Sequence, residues 1–398
     1  MRVFIAGIDG YLGWSLACYL ARRGYTVGGA DAALRRNWVS EVGGCSAIPV
    51  EPLHERTRIL KLHHSLNISV WEIDLRSYFL VKEVLSQFRP DAVIHFGECP
   101  SAPYSMIDVE HATFVQTNNL TTTFNLIYAI RDVARDAHFI KLGTMGEYGT
   151  PDVDIPEGFF DVEYHGRTAR MPFPRQANSW YHWSKVHGSN NIMFACDLWD
   201  LRATDIMQGV VYGINCEHSD ATMPPTRFDF DQCFGTVINR FSTQVIIGHP
   251  LTVFGSGKHK RAFIPLEDSM RCLALCIENP PSRGEYRVFN QFAEVYTIAE
   301  LAKIVKQVAE NELGIEVKIG YHENPRHESE EHYYKPESEG LRRLGYKPKN
   351  NIQSTIGRTI KSLLPYRYRI EAKKDNIIPT IRWQDNSQKI HQIEKTLL

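Results

Sequence analysis

The segment Gly7-Ile8-Asp9-Gly10-Tyr11-Leu12-Gly13 does most to limit what this chain can fold into. It follows an apolar run, Arg2-Val-Phe-Ile-Ala6, and precedes an amphipathic stretch, Leu12–Arg22. Three glycines spaced G-x-x-G-x-x-G between a strand and a helix each answer a steric demand. The first allows a tight turn, the second lets the backbone approach a pyrophosphate, and the third lets helix and strand pack closely. The helix N-terminus then offers N–H donors and a positive dipole to phosphate oxygens. Gly7, Asp9, Gly10, Tyr11, Leu12 and Gly13 are therefore expected to hold a dinucleotide.

The residues that follow extend this unit into a parallel sheet. Thr26–Ala30, Val70–Ile73, Ala92–Phe96 and Phe139–Leu142 read as strands, and Ser77–Phe88 and Thr121–Ala134 as helices between them. Alternation of this kind predicts an α/β fold, a Rossmann-like doubly wound parallel sheet. Ala32–Leu66 exceeds one crossover and is expected to be an irregular or partly helical insertion. Tyr181–Leu198 predicts a long helix and Ala203–Val211 a strand. Beyond Tyr212 the pattern changes: Glu217–Asp231 reads as a loop, while Cys233–Ile247, Glu267–Glu278 and Ile298–Glu312 read as helices. The expected division is a dinucleotide domain over 1–212 with returning strands later, a smaller, interleaved mixed α/β substrate domain over 213–345, and a C-terminal extension over 346–398. The extension reads as irregular, polar and basic in places, suited to an arm over the protein or a partner subunit.

Asp31 ends the second predicted strand, eighteen residues beyond Gly13. A carboxylate there can accept from the adenosine ribose hydroxyls and repels a 2′-phosphate, which favours NAD. Arg35 and Arg36 leave room for other readings: service to NADP, contact with the pyrophosphate, or solvent. Asp74 and Leu75 follow the third strand, where they can meet the adenine edge or form a plain turn.

Tyr181 and Lys185 lie four residues apart on the long helix and so share one face. An ammonium one turn from a phenol lowers the phenol's pKa, making it a usable general base, and the lysine can also hold the nicotinamide ribose. Thr144, after the fifth strand, supplies a hydroxyl for the oxygen being oxidised.

Together, in this order, these features resemble the extended short-chain dehydrogenase/reductase family over about residues 1–345. His95-Phe96-Gly97-Glu98, Asn118-Asn119 and Tyr148-Gly149 fall where that family has corresponding motifs, so the resemblance adds His95, Phe96, Gly97 and Asn119 to the cofactor set. Members that dehydrate a sugar nucleotide carry an Asp-Glu pair directly after the threonine. Here those positions hold Met145 and Gly146, which transfer no protons. Gly143–Pro151, Ser101–Asp108, Arg202–Asp205, Gln208–Gly213, Arg287–Phe292 and Glu330–Tyr334 instead resemble the UDP-sulfoquinovose synthase family. That resemblance implies UDP-glucose and sulfite as substrates, transient oxidation at C4 by NAD, loss of water across C5–C6, and sulfite addition at C6. It implies Ser101, Thr144, Gln208, Arg261 and Arg326 as substrate contacts, Met145 as a site residue, and a homodimer formed through two long helices. Glu147 and His182 are the titratable candidates for the elimination; Glu147 can instead cap or pair structurally, and His182 can face away. Cys99-Pro100 departs from that family, which has Gln-Arg there, and His259 stands where the family has glutamine.

Composition narrows the remaining classes. Forty-five basic against 46 acidic residues leave a net charge of -1, which offers no general nucleic-acid surface. The eight cysteines form no C-x-x-C pair, so no structural zinc or other metal is expected, and free thiols suit a reducing, cytoplasmic setting. No leader is read before the first strand, and no apolar run approaches the ~20 residues that cross a bilayer. Two other readings stay open at this level: a UDP-sugar 4-epimerase, and a non-catalytic NAD-sensing regulator.

Overall fold

The protein is described here from a computed structural model covering residues 1–214, 222–326, 331–378 and 380–383. Seven strands form one sheet in the order Tyr286–Gln291, Arg202–Gln208, His138–Thr144, Ala92–His95, Arg2–Ala6, Thr26–Ala30, Ile68–Trp71. Every pairing between neighbours is parallel. This is the Rossmann-like doubly wound sheet, and its central strands are buried because helices cover both faces. The chain runs outward from Arg2–Ala6 to Ile68–Trp71, then returns to Ala92–His95 on the other side of the first strand. A crevice opens at that reversal, beyond the C-terminal ends of the strands, where ligands bind in such sheets.

A second core, built on Phe228, Phe241, Phe263, Leu301 and Ile356, lies under a three-stranded sheet. That sheet joins Glu294–Thr297, Lys260–Pro265 and Val210–Tyr212. Leu251–Phe254 pairs with Ile319–His322 beside it.

Two readings are corrected, and one element was not read at all. The predicted Thr121–Ala134 helix begins twelve residues earlier, as Val109–Val133, capped by Asp108, whose side chain accepts from His111 N. Its first half is rich in Thr and Asn, weak helix formers whose low propensity is overridden by packing against the Trp180–Trp199 helix. The stretch after Pro348 is not irregular: Ile352–Leu363 is a helix that buries Ile352, Ile356, Ile360 and Leu363 in the second core. An exposed hairpin, Phe159–Tyr164 with Arg167–Pro172, was not legible as strands because its outward residues carry no apolar alternation. Ala32–Leu66 does hold helices, Leu34–Glu41 and Leu53–His64. Residues 215–221, at the start of the expected loop, and Glu330 lie outside the described residues. Among the described residues no helix is long and apolar enough to cross a membrane.

Candidate functional site

Two adjoining cavities meet at Thr144, Tyr181 and Gln208, which line both. The first lies at the sheet reversal. Gly7 takes φ +90, and a β-carbon on it would come within 2.6 Å of the Phe96 carbonyl carbon; Gly13 packs against the Gly7 carbonyl. A β-carbon on Gly10 would meet only the Gly7 oxygen, at 3.4 Å, because that position faces the cavity. Bare backbone therefore borders the first turn of the Tyr11–Ala21 helix, a cradle that fits a dinucleotide's phosphates. Asp9, Tyr11, Leu12, Asp31, Asp74, Leu75, Phe96 and Gly97 line the same cavity. The Asp31 carboxylate accepts from the backbone N–H of Asp9 at 2.9 Å and of Ala33 at 2.8 Å. Burial and the neighbouring charge of Asp9 raise it to about 6. Asp74 is held by Arg76.

Three expected cofactor residues do not line it. Arg36 forks onto Asp9, at 2.9 and 2.8 Å, and caps the carbonyl of Val50. His95 lies fully buried, its Nε2 3.1 Å from Thr123 Oγ1, on the strand face covered by the Val109–Val133 helix. Asn119 is also sealed: its Oδ1 accepts from Cys99 N at 2.7 Å and its amide donates to Ser184 at 2.9 Å. In each case sequence position is right but the side chain's partner, set by the opposing element, turns it inward. Arg35 does border the cavity, ion-paired to Asp229 at 2.8 Å. Asn118 and Glu98 line it as well, and neither was assigned a role from sequence.

Thr144 closes the His138–Thr144 strand, and Tyr181 and Lys185 rise from the first turns of the Trp180–Trp199 helix, whose cap Ser179 accepts from His182 N. The three reach the cavity together. Lys185 has partners of its own here. Lys185 Nζ donates to the Glu98 carboxylate and, at 2.8 Å, to Leu142 O. Its charge is thus compensated. Burial, then the charges of Glu98 and Glu147, hold the Tyr181 phenol well above the ordinary tyrosine range.

Glu147 is fully buried and lines neither cavity, which removes it as an elimination acid or base. One oxygen accepts from Thr144 N at 3.2 Å and from Lys141 at 3.2 Å, the other from Arg175 at 2.8 Å and Ser189 at 2.9 Å. It anchors the turn that carries Thr144. His182 and Met145 line the second cavity. The His182 ring is fixed by Nδ1 against Ser179 Oγ at 2.8 Å, with Nε2 over Gly146.

Ser101, Gln208, Arg261 and Arg326 also line the second cavity. Ser101 donates to Cys233 O at 2.6 Å, and the Gln208 amide donates to Ser269 at 2.9 Å and Gln291 at 2.8 Å, so both are held in fixed orientation. Sequence reasoning missed Arg240, a buried arginine in the first turn of the Val237–Ile247 helix, which joins Arg261 and Arg326 in the wall. Burial, with the nearby Arg326 charge, lowers it to about 10, and its Nε has no partner among the described residues. The signal was the lone charged residue on that helix. Three guanidiniums converging on one cavity suit a diphosphate. Pro100, in place of the family's arginine, borders both cavities, while Cys99 is fully buried. Among the described residues no group of three or more His, Cys, Asp or Glu side chains is placed to hold a metal ion.

Comparison with known proteins adds to this geometry. The NAD dependent epimerase/dehydratase family matches residues 3–290. The chain is 46% identical to the UDP-sulfoquinovose synthase of Sulfolobus acidocaldarius, over 96% of this chain and 98% of that one. It is 41% identical to the chloroplastic UDP-sulfoquinovose synthase of Spinacia oleracea, over 96% of this chain and 79% of that protein. Among solved structures it is similar in fold to UDP-glucose 4-epimerase from Bifidobacterium longum in complex with NAD+ and UDP, with a TM-score of 0.67 at 16% identity, covering 95% of this chain and all (100%) of that one.

Proposed function

This chain belongs to the NAD dependent epimerase/dehydratase family, and within it to the UDP-sulfoquinovose synthases, and from that footing we propose that it converts UDP-glucose and sulfite into UDP-sulfoquinovose and water. NAD, when bound, would supply a reversible acceptor for the C4 hydride, with no net change in the cofactor over a cycle. Asp31 and the glycine turn would hold its adenosine and phosphates, and Lys185 its nicotinamide ribose.

The rest is the work of this chain's side chains. Tyr181 takes the O4 proton, and Thr144 hydrogen-bonds the same oxygen. With C4 oxidised, the C5 proton becomes acidic. Its loss, together with departure of the C6 hydroxyl as water, leaves a C5–C6 double bond conjugated to the C4 carbonyl. The sulfur of sulfite then bonds C6, a proton returns to C5, and Tyr181 gives back the O4 proton. His182 is the titratable group beside Thr144 and Tyr181 on the second cavity's wall, and we assign it the C5 and C6 proton transfers. Arg240, Arg261 and Arg326 hold the diphosphate.

The observation that carries this reading is the shared wall. Thr144 and Tyr181 border both cavities, so a sugar seated in the second presents C4 to the first. Incubating the protein with UDP-glucose, with and without sulfite, tests it by product mass. A sulfonate in place of the C6 hydroxyl is expected only with sulfite; an unchanged mass is epimerisation and overturns it.

A homodimer is part of the same reading. Phe124, Tyr128, Phe194 and Leu198 leave large apolar surface exposed on the Val109–Val133 and Trp180–Trp199 helices, which is the surface a second copy would cover. A reducing, cytoplasmic setting is supported by the seven described cysteines, all unpaired.

A further inference from the structure

The C-terminal segment leaves the second core and reaches two separate stretches of the second cavity's wall. Ile377 is buried in that core and roots the segment. Just before it, the Asn376 carbonyl accepts from Gln232 N at 2.8 Å, and the Asn376 amide donates to Gly43 O at 2.6 Å. Thr380 docks on the same glutamine: its N and Oγ1 donate to Gln232 Oε1, at 2.7 and 3.2 Å. Ile381 packs on the cluster of Cys99, Tyr104, Cys233 and Phe234. Cys233 and Phe234 line the second cavity, and Phe234 borders the first as well. Trp383 docks elsewhere on that wall, on the loop whose Asn324 and Arg326 line the cavity. Its N donates to Pro325 O at 3.0 Å, and the Arg326 guanidinium lies 5.5 Å from the centre of its ring. Arg382 adds an exposed ion pair with Glu323 at 3.0 Å, of small weight by itself.

We propose that residues 380–383 are a strap that ties these two stretches of wall together, with Trp383 a positioning residue that aims Arg326 at the diphosphate. The proposal rests on the reading above that Arg326 meets that group. Thr380 and Trp383 are three residue steps apart, at most ~11 Å of chain. While both ends are docked, the wall at 232–234 and the loop at 324–326 cannot draw apart beyond that reach. The strap does not itself border the cavity, so it acts on the substrate through Arg326 and Phe234.

The Arg326 loop has local contacts of its own. Asn324 Oδ1 accepts from Arg326 N at 3.1 Å, and Asn324 Nδ2 lies 3.4 Å from His259 Nε2. These fix the backbone turn but do not reach the guanidinium. An indole face attracts a guanidinium and restricts its orientation. An arginine ordered before the substrate arrives loses less side-chain freedom on binding, so the diphosphate is held more tightly. The coupling is reciprocal: a strap that favours the diphosphate-binding arrangement is itself held down by bound diphosphate.

Two measurements on the full chain test this, with UDP as the probe. In calorimetric titration, Trp383→Ala is expected to weaken UDP binding at least about fivefold and to leave NAD affinity unchanged. Trp383→Phe, which keeps an aromatic face, is expected to recover most of the loss. In limited trypsin digestion of the wild type, saturating UDP is expected to slow cleavage of the Arg382–Trp383 bond at least about fivefold, read from the masses of the peptides released. Wild-type UDP affinity in Trp383→Ala, or a cleavage rate indifferent to UDP, overturns the proposal. So does an equal loss of UDP and NAD affinity, which would mark a loosened fold. Neither measurement uses sulfite or turnover. A protein in which the strap tightens UDP binding but no sulfosugar forms fails the reaction alone; one that forms the sulfosugar with a strap indifferent to UDP fails this proposal alone.

Discussion

The Nε2 edge of His182 occupies the space that a side chain on Gly146 would need: a β-carbon there would overlap the ring. The glycine that stands where a sugar-nucleotide dehydratase keeps a carboxylate is thus the room for an imidazole. On the proposed reading, the proton-transferring group comes from the helix bearing Tyr181 rather than from the turn after Thr144.

Gly146→Ala should push the ring off its position while the fold persists. Displacements of this size cost catalysis about 100-fold, whereas overpacking by one methyl costs ~1–3 kcal/mol of stability. Sulfite incorporation measured beside thermal unfolding separates the two; full activity in a folded variant would refute the placement of His182.

His182→Ala should split the reaction. Reduction of bound NAD by UDP-glucose, followed at the nicotinamide absorbance, should persist, while sulfosugar formation falls by roughly 100- to 10,000-fold, the usual range for a lost general acid–base. Equal loss of both steps would place His182 at C4 instead.

Glu147→Gln should act on stability before chemistry. Lys141 and Glu147 are both fully buried, and removing one partner leaves an uncompensated charge, a loss of ~3–5 kcal/mol. Chemical denaturation measures it. A variant as stable as wild type but inactive would return Glu147 to the catalytic group.

His95 makes stability depend on pH. Burial lowers it to about 4 in the folded protein, against 6.5 for an ordinary histidine. As pH falls from about 6.5 to 4 the unfolded chain binds this proton first, so the folded state loses stability through that window, by about 3 kcal/mol, and no more below it. His95→Gln should flatten that part of the stability profile; an unchanged slope would count against a neutral buried imidazole.

Phe194→Glu together with Leu198→Glu should weaken self-association, since each places a charge on the exposed apolar face of the Trp180–Trp199 helix. Sedimentation at several concentrations distinguishes a dimer in the wild type from a monomer in the variant. Identical profiles would rule this face out.

Much of the fold was legible in the chain because the signals are local. The glycine turn is a property of seven consecutive residues, and its place between a strand and a helix is visible in the pattern around it. Tyr181 and Lys185 share a helix face by spacing alone, and Thr144 follows an apolar strand. What the linear pattern hid has a common cause. The Val109–Val133 helix is longer than its Thr- and Asn-rich first half suggests, because packing supplies what propensity lacks. The helix of Ile352–Leu363 buries apolar side chains in a core assembled from distant segments.

The sequence by itself determined a parallel α/β sheet, a dinucleotide turn at its reversal, and the pairing of a tyrosine with a lysine on one helix. The tertiary structure decided which charged groups are available to act. Arg36 turns to Asp9, His95 to Thr123, Glu147 to Arg175 and Lys185 to Glu98, partners 27 to 87 residues away in sequence, and only Lys141, the other partner of Glu147, lies close to it along the chain. Spacing fixes the direction of a side chain from its own helix or strand. The charge it meets there, and so whether it can take or give a proton, depends on what the rest of the chain packs against it.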